Sequence, residues 1–493
     1  MKILLVNPPF YRIIGFYNRY FPLALTMLAT TLKCAGHEAL VYDADLYNTP
    51  ENMDYSLLPE KYPVFLSSLQ DADHPVWAEV KKTISDFCPD LIGISIYTTF
   101  AASAFHTAEI AKTIYPDCPV VLGGPHATSK AGEVMQIAPF VDFVVKGAGE
   151  KPLLDLANHF QRKEGSLQSI AGLSFRMDGQ IIHNPAADTR ERISGTSFPD
   201  RSLLMNEKSY SSEDMGLIMT TIGCPYNCTF CASHIKKISS REVDNIIEEI
   251  KLVKQKYGTT QFAFKDDSFT INKSRVYELC QRLIGEKLHI CWECNTRVNL
   301  IDEELLRVMK KAGCNYIKIG IESGADKILA KINKGITCEQ SRNAAKILRK
   351  SGIHWSAYFL IGMLGETKED MYNTLEFMYE LKPDLALLGV YETFPGTKMF
   401  DDGLEKNMVK TPMLLEDFYS TLPHLYYIKN PHVRSDQLDE ATFIQVVSDI
   451  KEKFHRYNKK PRHVIKTALA KTSVYRREPK ILLADVRKFF RYI

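Results

Sequence analysis

Short aliphatic runs alternate with amphipathic stretches along most of this chain, and the alternation falls into two successive series. In the first, continuous apolar runs at 2–6, 39–42, 90–96, 119–122 and 141–145 read as strands buried on both faces. Between them, stretches with helical periodicity occupy 21–35, 75–87, 101–115, 127–137 and 151–162, and an irregular stretch rich in Asn, Asp and Pro spans 44–74. This order predicts an α/β fold, with a Rossmann-like doubly wound parallel sheet over residues 1–165. Sheets of that kind bind ligands beyond the carboxyl ends of their strands. The loops at those ends carry Asn7 and Pro8, Asp43, Ser95, Thr98 and Thr99, Gly123, Gly124 and His126, and Gly147 and Glu150. Glycines there let a backbone approach a large flat ligand, and hydroxyls offer hydrogen bonds. Taken alone, His126 reads as a loop or capping residue, and Glu150 as an acid favoured by a helix dipole.

A hairpin at 171–184, with Asp178-Gly179 as its turn, and a polar connection at 185–215 lead to the second series. Its strands are expected at 217–221, 260–264, 288–294, 315–320, 355–360 and 385–390, with helices at 241–257, 273–285, 302–312, 337–351 and 367–381. Six such units fit a partial (β/α)6 barrel over 216–400, whose chemistry lies at the carboxyl ends of its strands. Residues 401–493 read as mostly helical. They contain His424 and the aromatic residues Phe418, Tyr419, Tyr426 and Tyr427, which are a candidate pocket lining but more in keeping with a core.

Composition adds limits rather than a function. The 493 residues suggest about three domains. A net charge of +3 gives no overall field for nucleic acid. Eleven scattered cysteines make no disulfide framework, and no apolar run reaches about 18 residues. The N-terminus lacks the features of a signal peptide, so a reduced, cytoplasmic setting is expected. The basic tail, with Lys459-Lys460, Arg476-Arg477 and Arg487-Lys488, reads as a solvated face, with peripheral contact to an anionic membrane as the alternative.

The sharpest chemical signal is Gly223-Cys224-Pro225-Tyr226-Asn227-Cys228-Thr229-Phe230-Cys231, which runs on from the first strand of the second series. Three thiolates at this spacing suit three irons of a cubic iron–sulfur cluster and leave one iron open. A zinc site completed by His234 is the alternative, since closed zinc sites need four ligands. Further candidates also stand at strand ends. They are Asp266 and Asp267 in F-K-D-D-S-F, Arg297 in N-T-R-V-N, Glu322 in I-G-I-E-S-G, and Gly362, Gly365 and Glu366 in F-L-I-G-M-L-G-E. Cys291 and Cys294 lie three apart on one strand and so face opposite sides, which favours packing over joint ligation.

C-x-x-x-C-x-aromatic-C resembles the signature of the radical S-adenosyl-L-methionine (AdoMet) enzymes. The first 150 residues, through ILLVNPP, GISIY, GGPHAT and KGAGE, resemble the cobalamin-binding domain that precedes the radical module in one branch of that family. The resemblance implies a 4Fe-4S cluster on Cys224, Cys228 and Cys231, with AdoMet on its open iron. It places Phe230, Asp266, Asp267, Glu322, Arg297, Gly362, Gly365 and Glu366 around AdoMet, and the loop residues of the first series around cobalamin. The D-x-H-x-x-G motif of many cobalamin domains is absent, so a base-off cofactor without a histidine ligand is implied. The implied activity is cobalamin-dependent methylation of an unactivated carbon or phosphorus centre, through a 5′-deoxyadenosyl radical and methylcobalamin. An oxidative cyclase or other non-methylating rearrangement is the alternative, and a non-catalytic sensor module the second. A small-molecule or lipid substrate and an electron donor such as flavodoxin or ferredoxin are implied as partners. No residue is singled out as the catalytic acid or base.

Overall fold

The computed structural model describes residues 1–17, 21–47, 49, 57–162, 165–186, 198–233, 235–430 and 435–470, with residues 472, 475, 482, 483 and 486 of the tail. His234 and the pairs Arg476-Arg477 and Arg487-Lys488 lie outside the described residues. The chain falls into two compact units. One holds Met1–Met215 with Phe394–Gly396 and Lys410–Tyr427; the other holds Gly216–Thr393, Thr397–Val409 and Ile428–Ile493.

The first unit is built on a seven-stranded sheet. Its strands are β1 (Lys2–Asn7), β2 (Glu38–Asp43), β3 (Leu91–Ser95), β4 (Val120–Gly123), β5 (Phe143–Val145), β6 (Leu173–Met177) and β7 (Gln180–His183), in the order β2-β1-β3-β4-β5-β6-β7. The first five are parallel. Ile3, Leu4, Leu5 and Val6 of β1 are buried, as a central strand covered by helices on both faces requires. The strand order reverses between β1 and β3, and the ends of those two strands carry Asn7 and Ser95. A crevice at such a switch point is where ligands of open α/β sheets bind.

Two expectations need correction in this unit, and the expected hairpin gains a partner. The stretch 44–74 is not wholly irregular, because Leu58–Leu69 is a helix that buries Tyr62 and Phe65. Pro59 and Pro63 disguise it, but Pro59 sits in the first turn, where a missing N–H costs nothing. The 171–184 hairpin is bonded antiparallel to β5 and completes the sheet, with Asp178 and Gly179 both at positive φ in its turn. Residues 198–215 are not a free polar connection. The Met205 N–H donates to the Val41 carbonyl at 2.9 Å, and buried Arg201 donates to the Met215 carbonyl at 2.9 Å and covers the Phe21 ring. Leu203, Leu204, Tyr210 and Met215 supply the apolar burial that a polar average conceals.

The second unit contains β8 (Leu217–Ile218), β9 (Thr221–Ile222), β10 (Ser239–Ser240), β11 (Gln261–Phe264), β12 (Cys291–Thr296), β13 (Cys314–Glu322), β14 (His354–Ile361) and β15 (Leu385–Val390). Six of them form a parallel sheet in the order β15-β14-β13-β12-β11-β8, the open arc of a partial barrel. The expected single strand 217–221 is broken. After Ile218 the chain turns out, and β9 pairs antiparallel with β10 to close the base of the cysteine loop. At the far edge, the Asn458 side chain bonds both the N–H and the carbonyl of Ala386 on β15, at 2.9 and 2.7 Å. Asn458 ends the helix Glu440–Asn458, whose Phe454 packs on Phe359, so part of the C-terminal region covers a sheet edge. No helix among the described residues is long and apolar enough to cross a membrane.

Candidate active site

In the second unit the candidate groups lie at the carboxyl ends of barrel strands or on the segments beyond them. Gly223 opens the cysteine loop at φ +93°, and a Cβ there would stand 2.5 Å from the Lys237 carbonyl oxygen, so only glycine fits. The loop is fixed by its backbone. The Cys224 N–H donates to the Ile235 carbonyl, the Cys231 N–H to Cys228, and the Thr229 N–H to Ile332, at 2.9 to 3.1 Å. The Asn333 amide and the Lys236 ammonium hold the Asn227 and Tyr226 carbonyls.

Cys224 and Cys228 are half-buried and Cys231 is exposed, whereas Cys280, Cys294, Cys314 and Cys338 are buried in the same unit. Burial pushes the Cys280 thiol up to about 12. Cys291 is half-buried and Cys294 buried, on opposite faces of β12, as the strand period requires. Among the described residues no three His, Cys, Asp or Glu side chains converge on one point as ligands of a single ion do. Thiolates of a cubic cluster bind different irons and need not converge, and the zinc alternative turns on His234, outside the described residues.

Around the loop the structure sorts the candidates into two groups. Arg297, just after β12, has its guanidinium carbon over the Tyr226 ring, 3.6 Å from the ring centre, and donates from Nη1 toward Cys228 Sγ at 3.7 Å. Its other terminal nitrogen donates to the Lys334 carbonyl. It makes no ion pair with an acid among the described residues, and its buried Nε has no partner. Asp267 is exposed beside Ser233, and its charge acts on Cys231. Phe230 lies 5.9 Å from the Lys334 ammonium. That ammonium pairs with Glu322 at 2.6 Å, and Glu322 stands at φ +67° on a bulge of β13.

Asp266 and Glu366 are instead consumed by the protein. The Asp266 carboxylate is buried and accepts from the Thr220 N–H at 2.7 Å and from the Thr220 hydroxyl. It thus holds the chain where it leaves β8. Glu366 is buried, and its carboxylate folds back onto its own loop, accepting the Met363 N–H at 3.0 Å. Burial pushes it up to about 8, with the Met363 and Gly362 N–H groups opposing. Gly362 and Gly365 both have positive φ, as the turn they form requires. Tyr226, Thr220 and Lys334 escaped the sequence reading. A lysine in an Asn-Lys-Gly turn reads as solvated, and only the fold buries it against Glu322.

In the first unit, the loop candidates stand at or after the carboxyl ends of β1 to β5. Pro8 is buried, and Ser95, Thr98, Thr99 and Gly123 are half-buried at the loops. Gly124 has φ +120°, and a Cβ there would come within 2.7 Å of the Ile96 carbonyl oxygen. The Gly147 N–H donates to the Thr128 hydroxyl at 3.0 Å, and Glu150 starts the helix Glu150–Arg162. Asp43 is again corrected. Buried, it accepts from the Asn7 amide at 2.7 Å, the Tyr210 hydroxyl and the Asp45 N–H, so it pins Asn7 from behind.

His126 is fully enclosed. Its Nδ1 meets the Thr98 hydroxyl at 3.1 Å, Nε2 has no partner, and burial drives its pKa down to about 3, with Lys130 adding to the drop. The rings of Phe418 and Tyr427 flank it, and the Tyr427 hydroxyl donates to Glu133. Tyr419 bonds Glu109 at 2.8 Å, and Tyr62 stacks on His424. The aromatic segment 410–427 is therefore core of the first unit.

A Radical SAM superfamily profile matches residues 218–378, and a B12 binding domain profile matches residues 12–157. An uncharacterized methyltransferase of Pyrococcus horikoshii, PH0819, is 31% identical over 449 residues, which cover 89% of this chain and 90% of that protein. The chain belongs to the radical AdoMet enzymes that carry a B12-binding domain. A second relative of this radical AdoMet enzyme, an anaerobic magnesium-protoporphyrin IX monomethyl ester cyclase of Rubrivivax gelatinosus, is 29% identical over 357 residues. That match covers 69% of this chain and 64% of the cyclase. The radical AdoMet enzyme also shares its fold with TsrM from Kitasatospora setae, a radical S-adenosylmethionine methyltransferase solved with cobalamin and a 4Fe-4S cluster bound. The TM-score is 0.65 at 17% identity, with 92% of this chain and 89% of that one covered.

Proposed function

We propose that this enzyme is a cobalamin-dependent radical AdoMet methyltransferase acting on an unactivated carbon or phosphorus centre of a small-molecule or lipid substrate. The observation that carries this reading is the relative named as a methyltransferase, whose likeness runs through both domains. When bound, the cofactors supply a hydrogen-abstracting carbon radical and a transferable methyl group, chemistry that side chains alone do not provide.

The residues divide the remaining work. Cys224, Cys228 and Cys231 hold the cluster on a loop whose backbone is already fixed. Asp267, the exposed member of the acidic pair, is placed to accept the ammonium of AdoMet, and the glycine turn 362–365 offers backbone to its adenine. Asp266 and Glu366 position those two segments without touching the ligand. In residues 1–165, Asn7, Pro8, Ser95, Thr98, Thr99, Gly123, Gly124 and Gly147 form the corrin cradle. Asp43 orients Asn7 from behind. His126, neutral and enclosed against Thr98, would back that cradle rather than supply a ligand to the cofactor.

The test uses protein reconstituted anaerobically with iron, sulfide and cobalamin, a one-electron reductant of the flavodoxin or ferredoxin type, and AdoMet deuterated in its methyl group. Release of 5′-deoxyadenosine that disappears in Cys228→Ala, together with a corrin absorbance that survives gel filtration, is expected. Absence of the corrin band removes cobalamin from the reading. The cyclase-named relative favours a second outcome, and product mass separates the two. A deuterated methyl gained supports transfer, and hydrogens lost without that gain support ring closure.

A further inference from the structure

We infer that Arg297 sets the reduction potential of the cluster, raising it by placing a fixed, uncompensated positive charge and an N–H donor against Cys228. This rests on the reading that Cys224, Cys228 and Cys231 hold that cluster. Arg297 would be neither a ligand nor a catalytic residue, but a positioning residue that acts through a ligand sulfur.

The geometry is specific to a guanidinium. Its central carbon stands over the Tyr226 ring, 3.6 Å from the ring centre, inside the same cysteine loop. One terminal nitrogen points at Cys228 Sγ at 3.7 Å, and the other is tied to the Lys334 carbonyl. Three contacts on three sides fix a planar fork and leave little freedom to swing away, which a flexible ammonium would retain. The side chain is 6% exposed, so water screens its charge weakly.

The charge is also unbalanced. Among the described residues no carboxylate pairs with Arg297, and its Nε is buried without a partner. The other buried cation of this neighbourhood, Lys334, is already neutralised by Glu322 at 2.6 Å. Of the two buried cations beside the loop, Arg297 is therefore the one without a carboxylate partner among the described residues.

The consequence follows from charge. One electron from a reduced flavodoxin or ferredoxin makes the cluster more negative by one unit, and the donor is oxidised by the same electron. Arg297 stabilises the reduced state more than the oxidised one, because attraction grows with the charge it faces. Its N–H also draws electron density from the thiolate. Net charge and hydrogen bonds to sulfur are established determinants of iron–sulfur potentials, and both act here in the same direction.

The test compares wild type, Arg297→Met and Arg297→Lys after anaerobic reconstitution with iron and sulfide. Iron and sulfide content are measured first. The midpoint potential follows from a redox titration read by the electron paramagnetic resonance of the reduced cluster. The inference expects equal iron content, a midpoint displaced to more negative potential in Arg297→Met, and a smaller displacement in the same direction in Arg297→Lys. An Arg297→Met protein with full iron and a midpoint unchanged or more positive overturns it. If Arg297→Met takes up no iron, Arg297→Lys decides, and a midpoint equal to wild type overturns the inference. Cys228→Ala is measured alongside. Full iron in that variant, or none in wild type, removes the cluster reading itself, which the midpoint potentials do not test.

Discussion

Glu366 is the most heavily perturbed acid of the glycine turn, and Glu366→Gln is the change that exposes what its burial does. An ordinary glutamate titrates near about 4.3. Burial pushes Glu366 up to about 8, so at neutral pH the native protein holds a proton there that the unfolded chain has released. The displacement is about 3.7 pH units, which at about 1.36 kcal/mol per unit is about 5 kcal/mol. The native state binds more protons than the unfolded state between the two values, so stability falls as pH rises through that window and the contribution is gone above about 8. About 4 kcal/mol of this lies between pH 5 and pH 9. Glutamine keeps the shape, the acceptor for the Met363 N–H and a donor in place of the acid proton, but it does not titrate.

The assay is urea unfolding of wild type and Glu366→Gln at pH 5, 7 and 9. Trp292 and Trp355, two of the three tryptophans, are buried in the second unit and report its unfolding by fluorescence. Other titrating groups are common to both proteins and cancel in the difference. The two should be close in stability at pH 5, and the glutamine variant should be the more stable by several kcal/mol at pH 9. Parallel curves across this range would refute the reasoning, because they would mean that Glu366 is ionised in the folded protein throughout.

Two further outcomes follow from neighbouring geometry. Asp266→Ala strands the buried N–H and hydroxyl of Thr220 and should cost about 2–4 kcal/mol of stability in the same unfolding assay. Asp267→Asn should leave stability within about 0.5 kcal/mol and weaken AdoMet binding in calorimetry, and an equal loss of stability in both variants would contradict the division drawn between the two acids. Gly124→Ala forces a Cβ against the Ile96 carbonyl at positive φ, so it should destabilise the first unit by about 1–3 kcal/mol and reduce retention of the corrin band after gel filtration.

The parts of this molecule that were legible in the sequence are those encoded over a few residues. Strands such as Ile3–Val6 announce themselves because burial on both faces demands an unbroken aliphatic run. The cysteine loop is legible because its ligands are only three and four positions apart, so spacing alone carries the chemistry. The helix Leu58–Leu69 was hidden by its two prolines, and the packing of 198–215 by the polar residues among its buried ones. The break after Ile218 could not be read locally, since its cause is a carboxylate at position 266.

Tertiary structure alone decided which member of each chemical pair is available. Asp266 and Asp267 are adjacent and identical in sequence terms. The strand that precedes them turns one inward onto Thr220 and leaves the other exposed by the cysteines. Glu366 looked like a ligand-facing acid until the turn closed on it, and Asp43 until Asn7 and Tyr210 did. Arg297 meets Cys228 across 69 positions of chain. The sequence determined that three thiolates would stand on one loop after a barrel strand, because that is local. Which charges face them was decided by long-range packing, because a side chain's charge acts through the space around it and not along the chain.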